Sequence, residues 1–233
     1  MLRMAIARAE PPVGDTGAAA GWLGESERRR WAALTPVARG EFVASRRLLR
    51  ALLQAATDVP AAAWDVSAQA GAAPQARAEG VAGNAIHVSL SHRRGWVAAA
   101  VAGMAVGVDI ECARPPRGDP RERAALMLSQ SELVQWQSLP ADEREAALLT
   151  RWTLKEAWFK SSPPEGVPWD FRQVVARACT AAQANARAWT AAPLHLALSC
   201  NDADALAAAA CSGLDDAAAR SSFWRVERAS ATI

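Results

Sequence analysis

The chain has no long apolar run at either end, no closely spaced cysteines and no marked excess of either charge, and each absence removes a class of function. A membrane-spanning helix needs about 20 consecutive apolar residues and a secretory signal needs a shorter run of the same kind. Neither is found at the termini, so the expectation is a cytoplasmic protein with no membrane partner. The four cysteines, Cys112, Cys179, Cys200 and Cys211, form no Cys-x-x-Cys pair and have no histidines at matching spacing. That excludes the usual zinc patterns and reads as reduced thiols. A formal net charge of +2 is too small for bulk nucleic-acid binding, which leaves local clusters of charge as the features to follow. The 233 residues, 51% apolar, suffice for one large domain or two small ones.

Gly107-Val108-Asp109-Ile110-Glu111 is the stretch around which those clusters gather. Read as a strand, it sends Val106, Val108 and Ile110 into a core and sets Asp109 and Glu111 together on the opposite face. Parallel carboxylates repel unless a cation or proton lies between them, and all-oxygen ligation suits a hard ion such as Mg²⁺. A half-buried strand with a solvated acidic face has the same pattern, so the pentad needs company.

Before it, residues 1–9 read as a strand and residues 25–34 as a helix carrying Arg28, Arg29 and Arg30. Thr35-Pro36 places an N-cap and a first-turn proline ahead of a second helix that reaches about residue 56. On it Arg39, Arg46 and Arg50 share a face with no acidic partner except Glu41 nearby, a stripe suited to phosphate or to plain solvent exposure. Residues 61–84 read as loop with one strand near 64–67. Residues 86–92 alternate as a strand ending in Ser91-His92, and residues 96–102 form its antiparallel partner after the Arg93-Arg94-Gly95 turn.

Beyond the pentad, Asp119-Pro120 starts a helix, residues 131–139 a short one, and residues 141–160 a long one with Trp152-Thr153-Leu154-Lys155-Glu156-Ala157-Trp158-Phe159-Lys160. Glu156 falls on the apolar stripe of Leu148, Leu149, Trp152 and Phe159. Either it pairs with Lys160 four residues on, or it faces the cation proposed for Asp109 and Glu111. The remainder reads as strands at 171–178, 194–199, 205–211 and 223–227.

The Gly-Val-Asp-Ile-Glu strand, the Trp152-x-x-Lys155-Glu156-x-x-x-Lys160 helix and the preceding Ser91-His92, in this order, resemble the phosphopantetheinyl transferase superfamily. The length resembles its surfactin-synthetase-activating (Sfp-like) class, in which one chain holds two similar halves. That resemblance implies an α+β fold with an N-terminal half at 1–103 for coenzyme A phosphate contacts and a C-terminal half at 104–233 for chemistry. The implied reaction moves the 4′-phosphopantetheine arm of coenzyme A to a serine of an acyl or peptidyl carrier protein and releases adenosine 3′,5′-bisphosphate. Asp109, Glu111 and Glu156 would hold Mg²⁺, Glu156 would be the base, Lys160 would act on the leaving phosphate, and Lys155 would orient Glu156 or meet phosphate. Arg46, Ser91 and His92 match positions that contact phosphates of coenzyme A; Arg50 joins them from the arginine stripe, and one of Arg28 to Arg30 is a further candidate. The expected protein is a monomer that binds no nucleic acid.

Two departures stand out. Many relatives have Gly-Lys-Pro ahead of the Ser-His strand, where this chain has Gly71-Ala72-Ala73-Pro74, so the lysine contact is missing or comes from Arg77. After Lys160 the usual glycine-rich continuation is replaced by Ser161-Ser162-Pro163-Pro164. Two rival classes share parts of this pattern. A non-catalytic carrier-protein-binding relative would have lost the acidic trio, which is intact. A Mg²⁺-dependent nuclease also uses separated Asp and Glu-x-Lys residues, but here Lys155-Glu156 has the reverse order and is on a helix.

Overall fold

Two long helices, each laid on its own sheet, carry the architecture of the protein, seen in a computed structural model that describes residues 1–9, 21–69, 71–82, 85–113, 118–162, 170–215 and 218–229. Strand β1 (Leu2–Arg8) opens the chain, and helices α1 (Glu25–Ala32) and α2 (Pro36–Thr57) follow. Pro36 occupies the first turn of α2, where its missing N–H costs nothing, and the helix stops at Asp58, which takes a left-handed conformation (φ 60°). A two-stranded ribbon, β2 (Asp65–Val66) with β3 (Ala76–Arg77), occupies part of the expected loop. The hairpin of β4 (His87–Arg93) and β5 (Trp96–Ala102) turns through Arg94 and Gly95, both at positive φ.

The second part begins with β6 (Val106–Cys112), the acidic strand, and continues through α3 (Pro120–Met127), α4 (Gln130–Ser138) and α5 (Ala141–Ser161). Asp119 and Ser129 cap α3 and α4 by accepting backbone N–H bonds. Strands β7 (Val174–Ala178), β8 (Ala186–Ala191) and β9 (Leu194–Cys200), helix α6 (Ala203–Ala208), and strands β10 (Cys211–Ser212) and β11 (Arg220–Arg228) complete the chain. Two sequence expectations change here. The alanine-rich residues read as a strand at 205–211 are mostly helix α6, started by Asp202, whose carboxylate accepts the Ala205 N–H at 2.8 Å. Strand β8 was not expected at all.

The larger sheet, β6-β9-β8-β11-β7, is antiparallel throughout. The smaller, β10-β1-β5-β4, is mixed, because β10 returns from the second part of the chain to pair parallel with β1. The proposed division at 103/104 falls in the link between β5 and β6, yet β10 crosses it. One apolar core also spans it: Met4, Ile6, Ala98 and Ala100 pack with Val108, Ile110, Leu196 and Leu198. Helix α2 covers the outer face of the smaller sheet through Leu49 and Leu53 against Ala99 and Val101. Helix α5 covers the larger one, with Leu154, Ala157 and Phe159 against Ala186, Ala188 and Ala197. The α+β class stands.

Strands β4 and β6 meet at the seam between the sheets, joined by side chains. Ser89 Oγ accepts the Val108 N–H at 3.0 Å, and Ser91 Oγ accepts the Ile110 N–H at 3.3 Å. On the other side of β6, α5 comes so near that a Cβ on Gly107 would lie 1.9 Å from the Ala157 carbonyl oxygen. Only glycine permits this approach.

Candidate functional site

The face of β6 opposite the shared core does not look into solvent. Helix α5 lies over it, so Asp109 keeps only 5% of its surface, a correction to the expectation that its carboxylate is off the packed interior. Its Oδ1 accepts from Ser91 Oγ at 2.8 Å and from Lys160 Nζ at 2.7 Å, while Lys160 also donates to the Val108 carbonyl at 3.2 Å. The other oxygen, Oδ2, is buried and has no hydrogen-bond partner among the described residues. An unsatisfied buried carboxylate oxygen is costly.

Glu111 and Glu156 turn toward the same place. The Arg93 guanidinium pairs with Glu111 Oε2 at 2.8 Å. Burial raises the Glu111 pKa, Arg93 opposes the rise, and the charge on Asp109 adds to it. Glu156 is pushed further, to about 7, by burial first and then by the charges of Asp109 and Glu111, against the pull of Lys160. Asp109, Glu111 and Glu156 have been brought together by β6 and one turn of α5, and the charge on Asp109 adds to the rise that burial causes in the other two. Lys160 therefore pairs with Asp109 across the layers, not with Glu156 along its own helix.

The donor chemistry fits a hard divalent ion: three carboxylates and one buried oxygen without a partner. Among the described residues, no three such side chains stand close enough together to hold an ion as they are placed.

Lys155 does not belong to this cluster, contrary to the expectation that it orients Glu156 or meets phosphate. Its side chain is wholly buried on another face of α5, where Nζ donates to Glu132 Oε2 at 2.6 Å and to the carbonyls of Met127 and Phe171 at 2.9 Å each. Glu132 uses its other oxygen to accept the Ala176 N–H at 2.9 Å. The pair thus ties α4, α5 and β7 together. Burial lowers the Lys155 pKa, and Glu132 resists that.

The arginine stripe also resolves differently from the expectation of unpaired cations. Glu27 of α1, fully buried, takes a two-pronged bond from Arg50 at 2.9 and 2.6 Å and lies 3.4 Å from Arg46 Nε. Arg50 is thereby a scaffold residue, fixed further by the Trp64 carbonyl at 3.2 Å. Arg39 is spent on the Trp31 and Ala32 carbonyls. Arg46 differs: it is 6% exposed, and its Nε and one terminal nitrogen have no hydrogen-bond partner among the described residues. Burial lowers its pKa to about 10, with Glu27 acting against that and Arg50 adding to it. One carboxylate between two guanidiniums leaves a buried excess of positive charge, which calls for an anion.

A cavity of about 310 Å³ meets that requirement: Arg46, Ser45, Arg30, Phe42, Leu90 and His92 line it. Of the three consecutive arginines on α1, Arg30 is the one on this wall, while Arg28 is held by the Leu23 carbonyl. Strand alternation makes β4 serve both regions, with Ser91 bonded to Asp109 and the next residue, His92, on the cavity. Ser91 is thus engaged with a carboxylate. A second cavity, about 630 Å³, has Ala73, Pro74, Arg77, Lys160 and Ser161 on its walls. Arg77 stands beside the alanine that replaces the expected lysine. The Pro163-Pro164 loop lies outside the described residues.

Residues 105–211, from the start of the acidic strand to β10, match the family model of the 4′-phosphopantetheinyl transferase superfamily. The chain carries a domain of that superfamily. No curated protein matches the chain. The transferase domain contains the acidic strand and the whole of α5, and so covers Asp109, Glu111, Glu156 and Lys160; Arg46 and His92 lie ahead of it. Sequence reading missed Glu27 and Glu132 as partners of scaffold cations and Arg93 as the partner of Glu111. Each is remote in sequence from at least one residue it serves, and only Arg93, two residues after Ser91 at the strand end, left a local signal.

Proposed function

We propose that this protein is a 4′-phosphopantetheinyl transferase of the single-chain Sfp-like kind, which moves the phosphopantetheine arm of coenzyme A onto a serine of an acyl or peptidyl carrier protein. The observation that supports this most is the meeting of Asp109, Glu111 and Glu156 beside Lys160, at a seam whose other strand leads to an arginine-lined cavity. A ligand with a diphosphate and a further phosphate needs both regions at once.

Asp109, Glu111 and Glu156 would hold Mg²⁺, which supplies charge neutralisation on a diphosphate that otherwise repels a nucleophile. The chain's own groups supply the rest. Arg46, with N–H groups to spare, and His92 and Arg30 bind phosphate oxygens and fix the nucleotide end. Glu156 takes the proton from the carrier serine as its oxygen attacks phosphorus. The bond from phosphorus to the adenosine 3′,5′-bisphosphate oxygen breaks, and Lys160 donates a hydrogen bond or proton to that leaving oxygen. Ser91 keeps Asp109 turned so that Oδ2 stays available.

Intact-mass measurement of several apo carrier proteins after incubation with coenzyme A, Mg²⁺ and this protein is the test. Addition of one phosphopantetheine to at least one carrier is the expected result. No addition to fatty-acid, polyketide or peptide carriers would overturn the proposal.

A further inference from the structure

Glu41 of α2 reaches across to the β4–β5 hairpin and makes two contacts there. Its Oε1 accepts the Gly95 N–H at 2.6 Å, and its Oε2 lies 2.9 Å from His92 Nδ1. The carboxylate is well sheltered, with 13% of its side chain exposed, while the imidazole is 58% exposed and on the wall of the cavity that Arg46 lines. An ionised carboxylate only accepts hydrogen bonds, so Nδ1 must carry a proton at that contact. In a neutral imidazole the proton on Nδ1 leaves Nε2 as the bare nitrogen.

We infer that Glu41 is a positioning residue for anion binding: by holding Nδ1–H it fixes the ring of His92 so that Nε2 is the atom offered to a phosphate oxygen. This deepens the transferase reading by naming a residue that acts on coenzyme A through another. With both ring nitrogens protonated, the imidazolium bridges two anions, one fixed in the protein and one in the ligand. The arrangement parallels the carboxylates that orient metal-bound histidines, with a phosphate in place of the metal. The Gly95 contact serves a second end. Gly95 at φ 76° follows Arg94 at φ 51° in the hairpin turn, so the carboxylate that orients the ring also anchors the turn below it.

The proton's position can be read directly. Long-range ¹H–¹⁵N spectra of the imidazoles, with His92 assigned by its loss in H92A, should show the Nδ1–H tautomer at a pH where the ring is neutral. In E41Q, which keeps an oxygen for Gly95, the amide N–H₂ faces Nδ1, and the ring should change to Nε2–H with little change in melting temperature. Calorimetry then measures coenzyme A binding in E41A, H92A and the double variant. E41A should weaken binding about tenfold, the size of one charge-assisted hydrogen bond. The double variant should bind no more weakly than H92A within about twofold, because the ring of His92 is the one group through which Glu41 reaches the ligand. An Nε2–H tautomer in the unaltered protein, or losses that add in the double variant, would overturn the inference. If the unaltered protein binds no coenzyme A, the transferase reading fails, and the tautomer measurement alone decides whether Glu41 sets the ring.

Discussion

Lys155 and Lys160 lie little more than one turn apart on α5, each against a carboxylate, yet they represent opposite uses of buried charge. Lys155 has three acceptors in a closed space with no exposed surface, and its partner Glu132 is bonded through both oxygens. Lys160 is 28% exposed and shares one oxygen of Asp109 with Ser91, while the other oxygen has no partner among the described residues and two further carboxylates press on the same space. A satisfied buried pair holds elements in place; an unsatisfied one is held open for something else. Glu27 repeats the lesson nearer the N-terminus, closing over Arg50 and leaving Arg46 short of bonds.

The comparison breaks most visibly at Glu156. E156Q keeps size and an oxygen but loses charge and basicity, so single-turnover transfer to an apo carrier should fall by about 10²–10⁴. Coenzyme A should still bind. A normal transfer rate would return Glu156 to the scaffold side. K155A should do the reverse: leaving Glu132 buried and unpaired costs about 3–5 kcal/mol, to be read in chemical denaturation, and any activity loss should follow the unfolded fraction. A stable but inactive K155A would put Lys155 back among the catalytic groups.

The two arginine fates give a smaller contrast. R46A should weaken coenzyme A binding by about tenfold or more in calorimetry, whereas R28A, whose guanidinium serves the Leu23 carbonyl, should change it little. Comparing dephospho-coenzyme A tells which phosphate Arg46 meets, since equal losses for both ligands place it on the diphosphate.

The smallest effect is in stability against pH. The Glu156 pKa is raised on folding to about 7, so its protonated form favours the fold. That contribution is complete below the ordinary carboxylate range and is lost as pH rises through about 7. In metal-free buffer the melting temperature of the unaltered protein should therefore fall between about pH 5 and pH 8 relative to that of E156Q. Parallel curves would mean that Glu156 is not held buried beside the other carboxylates.

What the sequence disclosed follows physical lines. Thr35-Pro36 and Asp119-Pro120 marked helix starts because proline at a first turn has a local cause, and the alternation of Ile86, Val88 and Leu90 marked β4 because these apolar side chains pack on a common face. Residues 186–191 give no strand signal and 205–211 give a false one, because alanine packs equally well on a helix or on a strand covered from both sides. In the site, residue types and order pointed to Asp109, Glu111, Glu156 and Lys160, which the fold brings together. Which lysine and which arginine are already spent was not legible. That depends on Glu132 and Glu27, each 23 residues from the cation it closes upon and each on a different helix from it. The match covering 105–211 supports the family for the later part of the chain, and the arginine cavity belongs mostly to the earlier part.

Strand β10 has a consequence for the order of assembly. Its partner β1 leaves the ribosome long before residues 211 and 212, which cover that strand's free edge. Until then β1 offers an open row of N–H and C=O groups on a half-built sheet, the kind of edge along which nascent chains stick to one another. The short parallel stitch at Met4 and Ala5 thus acts as a late fastening, and the earlier half remains exposed to mispairing until the transferase domain has been made.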